Sequence, residues 1–394
     1  MKIAILTSGL LPVPAINGGA VENLIDLYLE YNEQKKEHHI SIYSVINEKK
    51  NICFINHKTN NNYIFFKTYH LGYKIRRKIF NFLYKKTFYY PTHIEYFLHR
   101  VLKQIKKQRF DIILLENRPG YAEKVSLTCP KARIILHLHN DLLGPDTLNA
   151  TKIKQHISSV ITVSHYIKDR VDTIPPLGKT NVCYNGIDLK KFYNQPIDPN
   201  IRKNLGLKPS DFVVVFTGRL IKEKGVEELL LGFNQIQQKN IKLLIIGNNF
   251  YGNNTDKTTY IKKLQNIAEQ NKNRIVFTGH KPYTDIPKLL KSADISVIPS
   301  IWEEPFALTC IESMACGLPL IVTNSGGISE LINYQCAITL DKTSKNLPSL
   351  IAESILMLYN EPQKRQSMSK YSLELSKKFS KENFSKKFFE LLTE

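Results

Sequence analysis

Short β-branched apolar runs alternate with longer helical stretches along almost the whole chain. That alternation leaves little room for anything but parallel sheets covered by helices. The runs fall into two series, at 2–7, 39–44, 111–115, 133–138, 160–163 and 180–184, then at 212–217, 243–247, 275–278, 295–299 and 318–323. A length of 394 residues fits two domains of roughly 150 to 200 residues each. Between the series lies NGIDLKKFYNQPIDPN, where Asn185-Gly186 signals a turn and two prolines break any element, so a hinge is expected near residue 185. The expected domains are 1–184 and 185–377, both Rossmann-like α/β sheets. The closing ENFSKKFFELLTE places apolar residues at 384, 388, 391 and 392, an amphipathic helix within 378–394. Open parallel sheets bind ligands at the carboxyl ends of their strands, so two facing sheets predict a site in the cleft between them.

Composition excludes a disordered or membrane-embedded chain, since 42% of residues are apolar and 23% charged. No run reaches the roughly 18 to 20 apolar residues of a membrane span. The net charge of +20 favours polyanionic partners: nucleic acid, anionic lipid or phosphorylated substrates. Basic residues concentrate at 61–110, where twelve Lys or Arg face a single acid, Glu95. The six cysteines are scattered without C-x-x-C or zinc-type spacing and read as free thiols. Met1 leads directly into KIAILTS with no apolar signal region, so a cytoplasmic location is expected.

The groups that follow strands carry the chemistry. After 212–217 comes Gly218-Arg219-Leu220-Ile221-Lys222-Glu223-Lys224-Gly225, then a helix. Arg219 and Lys224 at such a turn, with the helix N-terminus, can hold a diphosphate; a plain solvated loop is the alternative. After 295–299 comes Glu304-Pro305-Phe306-Ala307-Leu308-Thr309-Cys310-Ile311-Glu312. Pro305 suits a first turn and Gly317 a C-terminal cap, which predicts a helix over about 306–316 whose free amides near Phe306, Leu308 and Thr309 face an anion. Carboxylates flanking a phosphate site repel the phosphate unless they bind the hydroxyls on either side of it. Glu304 and Glu312 fit that use.

These motifs, E-x7-E at 304–312, G-R-L-x3-K-G at 218–225 and E-S-M-A-C-G-L-P-L-I at 312–321, resemble those of the retaining glycosyltransferases of family 4, which have the GT-B fold. Asn185-Gly186-Ile187-Asp188 with Phe192, and the strand end Ile161-Thr162-Val163-Ser164, are similar too. The resemblance implies that Arg219 and Lys224 neutralise the donor diphosphate, helped by backbone amides near Leu308 and Thr309. Glu304 would hold the transferred sugar and Glu312 the nucleotide ribose. It also implies that the C-terminal helix returns to the first domain, that the donor is a UDP-sugar ahead of a GDP-sugar, and that the acceptor is a glycan or lipid-linked glycan of a bacterial envelope or capsule. No cofactor and no metal are expected, since no D-x-D follows a strand. Nucleic acid is not expected as a partner.

In the first half, Gly18 and Gly19 precede a helix from Ala20 and let backbone approach a ligand; the resemblance brings this loop to the donor phosphates. The spacing is not G-x-G-x-x-G, which argues against nicotinamide or flavin chemistry. His137 and His139 project from one strand face. His139, at the carboxyl end, is the candidate catalytic histidine beside Glu304, while His137 reads as structural. Glu116, Asn117 and Arg118 also follow a strand and are acceptor-binding candidates or helix caps. The segment 73–86 interleaves Lys74, Arg76, Arg77, Lys78, Lys85 and Lys86 with apolar side chains, suiting either an anionic membrane surface or a basic helix packed on the first domain. The rival functions are a nucleotide-sugar epimerase of the same fold and a non-catalytic partner subunit.

Overall fold

The computed structural model describes residues 1–46, 60–84, 89–176, 178–194, 196, 198–248 and 259–394. The chain divides into two compact units, 1–186 with 381–394, and 187–380.

The first unit is a parallel sheet of β1 (Lys2–Leu6), β2 (His39–Ile46), β3 (Asn62–Lys67), β4 (Ile112–Glu116), β5 (Arg133–Leu138), β6 (Ser159–Thr162) and β7 (Lys179–Val182), in the order β3-β2-β1-β4-β5-β6-β7. Its helices are α1 (Ala20–Lys35), α2 (Leu71–Tyr84), α3 (Thr92–Ile105), α4 (Ala122–Thr128), α5 (Ala150–Lys154) and α6 (His165–Asp172). The central strands are apolar on both faces because helices cover both sides; every residue of β4 is buried. Each fully buried Ile or Leu of this kind stabilises the fold by about 1.5–3 kcal/mol. Chain order reverses between β1 and β4, so the loops after these two strands diverge and leave a crevice at their carboxyl ends.

The second unit repeats the plan. Strands β8 (Phe212–Thr217), β9 (Ile241–Ile246), β10 (Ile275–Gly279), β11 (Ile295–Ile298), β12 (Leu320–Thr323) and β13 (Ala337–Leu340) are ordered β10-β9-β8-β11-β12-β13, all parallel. Helices α7 (Pro199–Asn204), α8 (Val226–Phe233), α9 (Thr259–Ala268), α10 (Ile286–Leu290), α11 (Leu308–Ala315), α12 (Leu347–Asn360) and α13 (Pro362–Ser376) surround it. Here the reversal lies between β8 and β11. Both are therefore Rossmann-like sheets.

The last helix, α14 (Lys381–Thr393), returns to the first unit and packs on α1. Phe388 stacks on Tyr28 with ring centroids 4.3 Å apart, and Phe384, Leu391 and Leu392 are buried with it. Strands β3 and β13 have no counterpart among the expected runs. Both lie at sheet edges and are only partly buried: in β3 the polar Asn62 and Lys67 bracket a mostly half-exposed YIFF, and β13 is the four residues AITL with Thr339 exposed. Cys129, Cys183, Cys310, Cys316 and Cys336 are free thiols, while Cys53 lies outside the described residues.

Candidate active site

In the second unit the two loops at the strand reversal meet. Gly218 follows β8 and sits against the end of β9, where a Cβ on Gly247 would lie 1.9 Å from the Gly218 carbonyl oxygen. The chain then makes a short 3-10 turn, Lys222–Lys224, and reaches Gly225 at φ +65°, a left-handed conformation that favours glycine. A Cβ there would come within 1.9 Å of the Pro299 carbonyl oxygen, so glycine also permits the loop to press onto the end of β11. The Ile301 amide donates to the Glu223 carbonyl at 3.0 Å and ties the loops together.

This contact delivers Lys224 to Glu304, Nζ to Oε1 2.6 Å. The Glu304 carboxylate is buried and also accepts from the Ser300 hydroxyl. Its backbone is pinned as well: its amide donates to Ser325 Oγ at 3.2 Å and its carbonyl accepts from the Gly327 amide at 2.7 Å. Gly326, at φ +47°, passes so close that a Cβ would be 2.3 Å from the Glu304 carbonyl oxygen. Arg219 is exposed and, among the described residues, makes no ion pair or side-chain hydrogen bond.

The helix after Glu304 begins later than expected. α11 starts at Leu308, with extended Ala307 as N-cap, so Pro305 precedes the helix and Phe306 is not part of it. Ala307 has no side chain able to cap, which leaves the first-turn amides from Leu308 and Thr309 without a side-chain partner. The C-terminus matches expectation. Gly317 is left-handed at φ +78°, its amide donates to the Met314 carbonyl at 2.9 Å, and the Leu318 amide donates to Ser313 at 3.0 Å, a Schellman closure. Glu312 lies in this helix, buried, and accepts from the Tyr283 hydroxyl at 2.8 Å. Burial pushes its carboxyl up to about 7, with the Tyr283 hydrogen bond opposing.

The first unit carries a second cluster at its own strand reversal. Gly18 and Gly19, at φ +72° and +111°, lead into α1, and a Cβ on Gly19 would lie 2.2 Å from a Glu22 carboxylate oxygen. Glu22, in the first turn of α1, is buried and bound by Ser8 Oγ at 3.2 Å; burial raises its carboxyl above the usual range. Glu116 ends β4, and His137 and His139 lie on β5 and just past it. Both imidazoles meet the Glu116 carboxylate, at 3.2 and 2.9 Å, and Tyr28 Oη donates to it at 2.8 Å. His137 and His139 therefore do share a face.

Glu116 departs from its reading as an acceptor-binding group. Its side chain is 0% exposed and both oxygens are engaged internally, so none is free for an acceptor hydroxyl. Asn117 and Arg118 are also mostly enclosed: Asn117 Oδ1 accepts from the His139 amide at 3.2 Å, and Arg118 Nε donates to the Ser8 carbonyl at 3.1 Å. They brace the loops after β1 and β5. Glu116, His137 and His139 form the one cluster among the described residues whose ligand-type atoms gather within 4.8 Å, as a metal centre would require. The fit is poor, because three internal donors already occupy the carboxylate and the Phe388 ring lies 4.9 Å from that of His137.

Sequence reasoning missed Glu22, Ser300, Tyr283 and Tyr28. Glu22 had a signal, an acid three residues past Gly19 in a helix first turn. Tyr283 sits 29 positions from Glu312 on a short turn, and nothing local marks it.

Residues 197–374 match the family described as Glycosyl transferases group 1. Spore coat protein SA of Bacillus subtilis strain 168 is 29% identical over 387 residues, covering 94% of this chain and 93% of that protein. The lipopolysaccharide 1,2-N-acetylglucosaminetransferase of Salmonella typhimurium is 24% identical over 260 residues, 64% of this chain and 66% of that protein. Among solved structures, Anabaena HepE in complex with UDP and glucose shares the fold with a TM-score of 0.76 at 21% identity, covering 100% of this chain and 99% of that one. The second unit is thus similar to the group 1 glycosyltransferases over 197–374, and the chain as a whole shares its fold of two Rossmann-like units, the GT-B type, with HepE.

Proposed function

We propose that the protein moves a sugar from a UDP-sugar to a hydroxyl of a glycan or lipid-linked glycan, with retention of anomeric configuration and without a metal. The carrying observation is the Lys224–Glu304 pair beside the uncapped start of α11. A cation and free amides suit a diphosphate, and a buried carboxylate held by Ser300 suits sugar hydroxyls. Arg219 adds a second cation, and Glu312 with Tyr283 forms a hydroxyl-binding pair for the ribose. His139 would contact the transferred sugar, and the Gly18-Gly19 loop would approach the phosphates. The bond from the sugar C1 to the phosphate oxygen breaks, and its electron pair goes to the diphosphate, where Arg219, Lys224 and the α11 amides stabilise the charge. The acceptor oxygen bonds to C1 on the same face, and its proton passes to the departing phosphate oxygen. UDP as the nucleotide is supported by HepE, solved with UDP and glucose, and an envelope-type acceptor by the lipopolysaccharide enzyme of Salmonella.

The deciding experiment incubates the protein with UDP-sugars, with and without lipid-linked glycan acceptors, in the presence of EDTA. Product masses one sugar heavier, with the donor's anomeric configuration by NMR, are expected. Conversion of the nucleotide sugar with no acceptor present would identify an epimerase instead, and activity abolished by EDTA would end the metal-free reading.

The same reading places the protein at an anionic membrane surface through α2. At 100° per residue, Leu71, Ile75, Ile79, Phe82 and Leu83 share one side and are exposed, Phe82 by 89%. The opposite side seats Tyr73 and Phe80 against Tyr96. Lys74 and Lys78 border the apolar stripe on one edge and Arg76 on the other, and α2 contains no acid. An apolar stripe between rows of cations matches an anionic bilayer, with each basic residue contributing about 1 kcal/mol. Lys85 and Lys86 lie outside the described residues. No described helix is long and apolar enough to cross a membrane.

A further inference from the structure

Glu116 presents a buried carboxylate to three donors, and this fixes more than packing. An ionised carboxylate has lone pairs only, so each group directed at it must donate. Tyr28 gives its hydroxyl hydrogen, His137 the hydrogen on Nδ1 and His139 the hydrogen on Nε2. Burial opposes ionisation, but the hydrogen bonds from His137 and His139 outweigh it, so Glu116 is held well below the usual carboxylate range. Once Nε2 of His139 carries the proton, Nδ1 carries a bare lone pair. That atom is buried and has no partner among the described residues. The ring is enclosed, its side chain only 5% exposed, with the Glu116 carboxylate on Nε2 and the His137 ring 4.0 Å away.

We propose that Glu116 is a positioning residue that locks His139 as a neutral hydrogen-bond acceptor through Nδ1, so that His139 takes the hydrogen of a sugar hydroxyl and does not bind phosphate. This rests on the transferase reading for the identity of the ligand. A phosphate oxygen at neutral pH offers lone pairs and would meet the Nδ1 lone pair without a hydrogen between them; a hydroxyl supplies one. Charging the ring would reverse the preference. Burial first, then the neighbouring His137, lower the His139 imidazole to about 4, and the ring stays neutral at physiological pH.

The test is the two-bond 1H–15N spectrum of the full-length protein labelled with 15N-histidine, with the His139 signals assigned by their loss in His139→Gln. Between pH 6 and 8 the free protein should show His139 protonated on Nε2 and bare on Nδ1. A proton on Nδ1, or an imidazolium at pH 7, overturns the proposal. Glu116→Gln, whose amide can donate to Nε2, should populate the Nδ1–H form and lower kcat/KM for the donor at least tenfold; an unmoved tautomer overturns the role of Glu116. Adding the UDP-sugar that the enzyme turns over should shift Nδ1, whereas UDP alone should not, and a shift with UDP alone overturns the hydroxyl assignment. The spectrum of the free wild-type protein decides the tautomer even where Glu116→Gln fails to fold. Absence of any transfer would sink the transferase reading and leave the tautomer measurement standing.

Discussion

Lys224 Nζ lies 2.6 Å from Glu304 Oε1, and the two residues come from loops after β8 and β11, the strands at which sheet order reverses. The cation that would neutralise the donor diphosphate therefore starts out paired with the carboxylate proposed to hold the sugar. Lys224→Ala should lower kcat by about 10²- to 10³-fold, the loss typical of removing one group that stabilises transition-state charge. Because the partners touch, Lys224→Ala and Glu304→Gln should be non-additive, with a coupling on kcat/KM of about 1 kcal/mol or more in a double-mutant cycle. Additive effects would mean that the pair does not work as a unit.

Arg219 differs in having no side-chain partner among the described residues. It is exposed and makes no ion pair among the described residues, so Arg219→Ala should leave the melting temperature close to wild type, as surface substitutions usually stay within about 0.5 kcal/mol. The donor KM should rise roughly tenfold or more if its guanidinium meets the diphosphate, and Arg219→Lys should rescue only in part, since an ammonium lacks the planar fork. Calorimetry beside steady-state kinetics checks both. A large drop in melting temperature would show that Arg219 supports the fold.

Much of the sheet architecture was legible because strands buried on both faces must be continuously apolar: β5 and β8 occupy the expected 133–138 and 212–217. Strands β3 and β13 escaped, and edge position alone does not account for it, since β7 and β10 are also edge strands and lie on expected runs; β3 is mostly half-exposed between the polar Asn62 and Lys67, and β13 is only four residues long with Thr339 exposed. In the site, glycine spacing and strand-end polar groups pointed to Lys224, Glu304 and Glu312, and these lie where two loops meet or on the helix that follows. Where sequence reasoning fell short was in depth. A glutamate at a strand end was expected to be accessible, but Glu116 is enclosed because Tyr28 from α1 and two histidines from β5 and its end converge on it, with Phe388 of α14 packed on Tyr28 and near His137. Those partners stand 21 or more positions away, beyond any local pattern.

Glu312 supplies a pH prediction for the protein without ligand. Burial raises its carboxyl from the ordinary 4.5 to about 7, so between these values the folded state holds a proton that the unfolded chain has released. Stability from this residue is fully present below pH 4.5 and is lost as pH rises through about 7, a loss on the order of a few kcal/mol. Glu312→Gln keeps the shape and cannot ionise, so its melting temperature should fall less than that of the wild type between pH 5 and 8. Parallel curves for the two proteins would show that Glu312 ionises normally. For the donor the sign is opposite: the ribose hydroxyls donate to the ionised form, so affinity should rise through the same window in the wild type and stay level in Glu312→Gln.

The exposed stripe on α2 predicts a membrane behaviour that two kinds of substitution separate. Sedimentation with vesicles of phosphatidylglycerol and phosphatidylcholine should bring the wild type down, and pure phosphatidylcholine vesicles should not, because the cations flanking Ile75, Ile79 and Phe82 need an anionic surface. Lys74→Glu with Lys78→Glu should abolish this preference, and added salt should weaken wild-type binding by screening. Phe82→Ser, which removes an apolar group already 89% exposed, should loosen binding while leaving the melting temperature unchanged, since no packing is lost. Tyr73→Ala should act the other way round, destabilising the unit through its lost contact with Tyr96 and reducing binding only as α2 comes away. Equal sedimentation with neutral and anionic vesicles would remove the bilayer as the partner of this face, and a dimer in light scattering that Phe82→Ser dissolves would assign it to a second copy of the chain.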